Sequence, residues 1–248
     1  MPQRETGARA DAIYGINAVR AAVRSRPVEY VLVAEGHHSP RVQEIIDACR
    51  KGGISLRFAP RGALEREAGT SQHQNVLAIC ASRAYDDLET LLSSAEGALL
   101  VVLDGVEDPA NLGAIVRTAV AAGSSGVIIP ERRAAGLSPA VARAAAGALE
   151  HAKIARVTNL VRSLVELKER GLWVYGFEAN ADKTYLELDY TNPCALVLGG
   201  EGRGLHRLVR EACDQLARIP LHEPIESLNV SVAAAVALYE AARQRRQK

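Results

Sequence analysis

Six consecutive apolar residues, Ala98–Leu103, stand between Gly97 and Asp104-Gly105. A run that is apolar at every position has no polar face to turn toward water. At this length it is too short for a buried helix, so it reads as a strand covered on both faces, as in a parallel sheet flanked by helices. The rest of the chain repeats the theme. Tyr30–Val33 is strand-like, and Ser39-Pro40 then opens a helix that runs to about Lys51, where Gly52-Gly53 stops it. Ile54–Ala59, the short helix Arg61–Ala68 and the strand Val76–Cys80 follow. Beyond Leu103 come a helix over Leu112–Ala122, a strand over Gly126–Ile129 and a helix capped by Ser138-Pro139 that reaches Leu149. A helix over Leu160–Arg170 leads to strands at Leu172–Phe177, Ala195–Leu198 and Leu216–Ile219, and a helix over Leu228–Gln244 closes the series. Alternation of this kind predicts α/β architecture. Few large apolar groups and a polar run, Arg83–Glu89, interrupt it once. The expected division is an α/β domain over 11–81, a linker over 82–97 and a second α/β domain over 98–248.

Composition narrows the function classes. Thirty Lys and Arg against 29 Asp and Glu give a net charge of +1, so no global positive field draws the chain to nucleic acid. Local basic patches remain, Arg132-Arg133 and the tail Arg243–Lys248, which read either as solvated surface or as contacts for RNA phosphates. Cys49, Cys80, Cys194 and Cys213 are scattered without a CxxC pair, which predicts buried free thiols in a reducing compartment. The start, Met1–Asp11, lacks the apolar core of a signal peptide. Val230–Tyr239 falls well short of the ~20 apolar residues that span a bilayer. A cytoplasmic location is expected. The six histidines share no spacing, and neither HExxH nor GxSxG occurs, so no metal site is expected.

Three segments of the second half carry candidate chemistry, each just after a strand. In Asp104–Gly113 the turn formers Gly105 and Pro109 precede Asn111, with Arg117 six residues further on. Asn111 reads either as the N-cap of the next helix or as a site residue, and Arg117 either as a surface ion-pairing residue or as a ligand contact. In Gly199-Gly200-Glu201-Gly202-Arg203-Gly204, four glycines in six positions require positive φ or close approach of backbone. The spacing is neither GxGxxG nor GxxxxGK[ST], and Glu201 would repel a phosphate. An adenosine-type ligand that carries positive charge fits better. The third segment is Ile219-Pro220-Leu221 with Glu226–Ala233. Ser227 there is a natural N-cap, while Asn229 and Ser231 are polar positions in an apolar helix that need partners.

The three segments occur together and in order. Asp104–Arg117, Leu198–Leu205 and Ile219–Ala233 resemble motifs 1, 2 and 3 of the SpoU (TrmH-like) class of SPOUT RNA ribose methyltransferases. The first half resembles the class's substrate-binding domain, with Tyr14-Gly15-Ile16-Asn17-Ala18-Val19 near its start and His73-Gln74-Asn75-Val76 near its end. Within the class the chain is most similar to the 23S rRNA guanosine-2′-O-methyltransferase subgroup. The resemblance implies a parallel-sheet methyltransferase domain with a deep trefoil knot, S-adenosylmethionine as methyl donor, RNA as partner and a homodimer formed through the C-terminal domain. It places Gly199, Gly200, Glu201, Gly204, Ile219 and Leu228 around the cofactor, and Asn111, Arg117, Glu201, Ser227 and Asn229 in catalysis or its support. A tRNA ribose methyltransferase of the same class is the nearer alternative. A non-catalytic RNA-binding assembly factor is the more distant one, and it would be expected to lack Arg117 or the glycine loop.

Overall fold

The computed structural model describes residues 10–36, 38–93, 97–202 and 204–247. Thus His37, Arg203, most of the polar start, residues 94–96 of the expected linker and Lys248 lie outside the described residues. The chain forms two compact units, one of Met1–Ala84 with Leu137–Glu150 and one of Tyr85–Gly136 with His151–Lys248.

In the first unit β1 (Ala10–Tyr14), α1 (Ile16–Ser25), β2 (Val28–Ala34), α2 (Pro40–Gly52), β3 (Ser55–Ala59), α3 (Arg61–Ala68) and β4 (Val76–Ala81) form a four-stranded sheet of order β1-β4-β2-β3 with its helices. Only β2 and β3 run parallel. The expected start of α2 holds, since the Ser39 hydroxyl accepts from the Val42 N–H at 3.4 Å with Pro40 in the first helical position. At the helix end, Gly53 adopts φ +67°, where a side chain would be strained.

The second unit holds α4 (Leu88–Leu92), β5 (Leu99–Asp104), α5 (Pro109–Ala121) and β6 (Gly126–Pro130), after which the chain passes into the first unit for α6 (Pro139–Ala144). Back in the second unit follow β7 (Ile154–Val157), α7 (Leu160–Glu169), β8 (Trp173–Phe177), β9 (Lys183–Thr184), β10 (Cys194–Gly199), α8 (Arg207–Ala212), β11 (Gln215–Arg218) and α9 (Val230–Arg246). The seven strands are ordered β7-β6-β5-β10-β8-β11-β9 and every pairing is parallel. The apolar run meets its expectation, because all six residues of β5 are buried and Leu100–Leu103 have no exposed surface.

Three expectations need adjustment. Residues 85–93 of the stretch read as a linker lie in the second unit. Asp86 exchanges hydrogen bonds with the main chain of Ile154, and Leu91 and Leu92 are buried in the core. Four polar residues hid two leucines from a reading based on composition. The helix expected to reach Leu149 ends at Ala144, and the small residues that follow it answer a packing demand within the first unit. There Ala145 is fully buried, and a Cβ on Gly147 would stand 3.0 Å from both the Asn17 carbonyl and the Ala21 Cβ. The last helix begins at Val230 rather than Leu228, for a reason found at its cap.

Candidate functional site

An all-parallel sheet gathers its binding groups at the carboxyl ends of its strands, where the strand order reverses. Here β5 connects through α5 to β6 on one side, while β10 occupies its other side, so the reversal lies between β5 and β10. The loops leaving these two strands enclose a cavity of about 420 Å³ lined by residues of Asp104–Asp108, Asn111, Arg133, Gly200, Glu201, Gly204, His206 and Val230.

The glycines set the walls. A Cβ on Gly199 would lie 2.1 Å from the Gly204 carbonyl carbon, and one on Gly200 would lie 2.0 Å from the Gly105 oxygen. The Gly200 N–H donates to the Asp104 carbonyl at 2.7 Å. Close backbone approach is therefore the reason for this pair, as expected, but the approaching backbone is the protein's own. Gly202 and Gly204 serve the other purpose, with φ of +80° and +62°.

Three side chains from three segments meet here, two of them, Asn111 and Glu201, on the cavity wall. Asn111 is 6% exposed; its Nδ2 donates to Glu201 Oε1, and its Oδ1 accepts from Asn229 Nδ2 at 3.0 Å. Asn229 Nδ2 also donates to Glu201 Oε1 at 3.2 Å. The amide oxygen of Asn229 accepts from the Ser231 N–H at 2.8 Å and from the Ser231 hydroxyl at 2.6 Å, which caps α9. That cap fixes the start of the helix. Ser227 is exposed and does not cap it, so the reading of Ser227 as N-cap is corrected. Asn111 is not an N-cap either. Asp108 caps α5 by accepting from the Ala110 N–H at 2.9 Å, with Pro109 next, so Asn111 sits one turn in and is free to face Glu201.

The remaining expected site residues stand apart from the cavity wall. Arg117 is exposed on α5, with no hydrogen bond or ion pair among the described residues. Ile219 and Leu228 are half-buried on the segment that returns from β11 to α9 and do not line the cavity. Conversely, Asp104 and His206 line it without having been singled out, and Arg133 of the expected basic patch Arg132-Arg133 joins them. Their signal was positional: an acid closing a fully buried strand and a histidine two residues past the glycine loop. It becomes readable only once β5 and β10 are known to be neighbours.

The lining carries four carboxylates, Asp104, Glu107, Asp108 and Glu201, against one arginine and one histidine. This donor set suits a ligand with a positive centre, as a sulfonium would be. Among the described residues no group of three His, Cys, Asp or Glu side chains could hold a metal ion. No helix among them is long and apolar enough to cross a membrane.

Comparison with known proteins agrees with this geometry. The family model described as SpoU rRNA Methylase matches residues 98–239, and the one described as RNA 2′-O ribose methyltransferase substrate binding matches residues 12–86. The chain is 44% identical to the 23S rRNA (guanosine-2′-O-)-methyltransferase RlmB of Xanthomonas campestris, over 94% of this chain and 96% of that one. It is 45% identical to the RlmB of Pseudomonas aeruginosa, over 95% and 97%. The crystal structure of the SpoU methyltransferase AviRb from Streptomyces viridochromogenes in complex with AdoMet superposes with a TM-score of 0.82 at 27% identity, covering 99% of this chain and 95% of that one.

Proposed function

Because the chain belongs to the SpoU rRNA methylase family, we propose that it transfers a methyl group from S-adenosylmethionine to the ribose 2′-hydroxyl of a guanosine in 23S rRNA. The observation that carries this reading is the meeting of Asn111, Glu201 and Asn229 at the point where the strand order reverses. S-adenosylmethionine, when bound, supplies an activated methyl that brings its own leaving group. Gly199, Gly200, Glu201, Gly204, Ile219 and Leu228 would hold it, the first two by shaping the loop. The long return from β11 to α9 supports the trefoil knot of the family.

The chain's own task is to orient the hydroxyl and help remove its proton. Both amides donate to one oxygen of Glu201, which leaves Oε2 as an acceptor for the hydroxyl hydrogen. Arg117 cannot act as a base, since arginine keeps its protons. Its role in this proposal is to grip the adjacent phosphate and orient the ribose, and Ser227 supports the same end. A homodimer brings Arg117 to the site. Exposed Arg117 on α5 and exposed Val232 and Tyr239, 48% and 52% accessible on α9, supply the surface for a second copy. A cytoplasmic location follows from ribosomal RNA as substrate.

The test is transfer of a tritiated methyl from S-adenosylmethionine to total RNA from a strain lacking the gene, followed by mapping of the modified nucleotide. Label at a single 23S guanosine 2′-oxygen is expected. Label on tRNA would select the other branch of the family, and no label on any RNA would refute the proposal.

A further inference from the structure

A second polar chain lies on the same cavity, unused by the reaction as derived above. Asp104 closes β5 and is 6% exposed. Its Oδ2 accepts from the backbone N–H of His206 at 2.7 Å, and its Oδ1 stands 3.0 Å from His206 Nδ1. The other ring nitrogen, Nε2, stands 3.3 Å from Nη1 of Arg133. A guanidinium offers donors only and remains protonated. Nε2 is therefore the acceptor, and Nδ1 carries the hydrogen that Asp104 receives, so the two neighbours together assign the tautomer.

Arg133 follows β6 and holds φ at +57°, in the left-handed region. A long side chain adopts this backbone only under strain, and such strain persists where the surroundings impose it. The cavity indicates what the arginine is held for. Its lining includes four carboxylates, and among the described residues Arg133 is the one Lys or Arg side chain there. An RNA strand entering this field meets like charge unless a cation receives its phosphate. Arg133 is exposed, and apart from Nη1 its donors meet no acceptor among the described residues. One edge of the fork is anchored and the rest is free for the bidentate recognition that guanidinium gives phosphate.

We infer that Asp104 and His206 form a positioning relay that presents Arg133 as the cavity's own phosphate grip, for a second phosphodiester of the RNA strand besides the one that Arg117 takes. This rests on the reading of the chain as an RNA methyltransferase. Arg133 touches the substrate; Asp104 and His206 act through it.

The experiment uses the full chain with Arg133→Ala, His206→Ala, His206→Gln and the double variant Arg133→Ala/His206→Ala. Methyl transfer to an rRNA fragment gives kcat and KM. Fluorescence anisotropy with S-adenosylhomocysteine present gives RNA affinity as a function of salt. Arg133→Ala is expected to raise KM about tenfold, to hold kcat within about twofold and to flatten the log–log salt slope by about one. His206→Ala is expected to raise KM about threefold and to add nothing to Arg133→Ala, as for two residues acting through one contact. His206→Gln, whose amide oxygen accepts from a guanidinium, should recover the wild-type value. Nitrogen-15 NMR of the wild type should show His206 protonated at Nδ1. Unchanged KM and salt slope in Arg133→Ala would overturn the inference. So would independent, additive losses in the double variant, or a fall in kcat alone in His206→Ala, which would make the imidazole a reacting group. A wild type that methylates no RNA refutes the proposed function instead, and the anisotropy and NMR arms still judge the relay.

Discussion

Arg245 directs its guanidinium to main-chain oxygens: Nε to Tyr190 at 2.7 Å, Nη2 to Ala98 at 2.9 Å and to Asn192 at 2.8 Å, and Nη1 to Gly97. Arg243 is held by Glu240 at 2.7 and 2.8 Å. The basic tail, which reads from sequence as solvated surface or RNA contact, is in large part a structural clamp. Arg245→Met should lower stability by about 2–4 kcal/mol, since several charge-assisted hydrogen bonds go at once. Urea unfolding with an unchanged m-value and a lower midpoint would show it. The thiols behave as their burial dictates. Burial raises the Cys80 and Cys194 pKa to about 11 and that of Cys213 to about 12. Their contribution to stability is whole below the unfolded thiol value of about 8.5 and is lost as pH rises through the folded values. Stability should therefore fall between about pH 9 and 12, and at pH 8 a thiol reagent should titrate these cysteines only after denaturant is added. At this scale the sequence was partly legible. Asp108-Pro109 carries a cap followed by a first-turn proline, a pattern that favours Asp108 over Asn111 as the N-cap. The six-residue step from Asn111 to Arg117 is about 120° around a helix axis, which puts one inside and the other outside.

Among the elements, the glycine loop after β10 offers the sharpest contrast. Gly200→Ala drives a methyl into the Gly105 carbonyl, backbone against backbone, so neither partner can turn away. A loss at or above the usual 1–3 kcal/mol of overpacking is expected, with cofactor binding abolished. Gly202→Ala meets nothing within 4 Å and pays only for its φ of +80°, so it should cost about 1 kcal/mol. Calorimetric titration with S-adenosylhomocysteine and thermal melts of both variants decide the matter. The same loop shows where pattern reading stops. Ala98–Leu103 declares a buried strand by itself, and Ser138 declares its helix, accepting from the Val141 N–H at 3.4 Å. That β10 inserts between β5 and β8 is a property of long-range packing, invisible to local periodicity. The strand β9, two residues long with Lys183 exposed, carries no pattern at all.

For the whole molecule, the proposed homodimer makes a quantitative claim about Arg117. If each site takes its arginine from the other copy, Arg117→Ala and Glu201→Gln should each be inactive alone. Mixed at random, half of the dimers contain one intact site, so about a quarter of wild-type activity should return. Activity that stays at zero would place Arg117 in its own subunit's site. Sedimentation at micromolar concentration should show a dimer in every case. RNA contacts in the first unit are expected at Arg24 and Arg41, which are exposed and without a partner among the described residues, and not at Arg26, which pairs with Glu150 at 3.0 Å. That ion pair belongs to the excursion of the chain through Leu137–Glu150, which has a consequence in time. A ribosome that has finished Ala84 must add residues 85–150 before the first unit is complete. At about 5–20 residues per second this takes roughly 3–13 s. Throughout that interval Val141, Ala142 and Ala145 are not yet in place against the first unit, and its β1 side waits uncovered. The order of synthesis thus makes the unit that starts first depend on the middle of the message, and a pause placed there would prolong the nascent chain's exposure to chaperones.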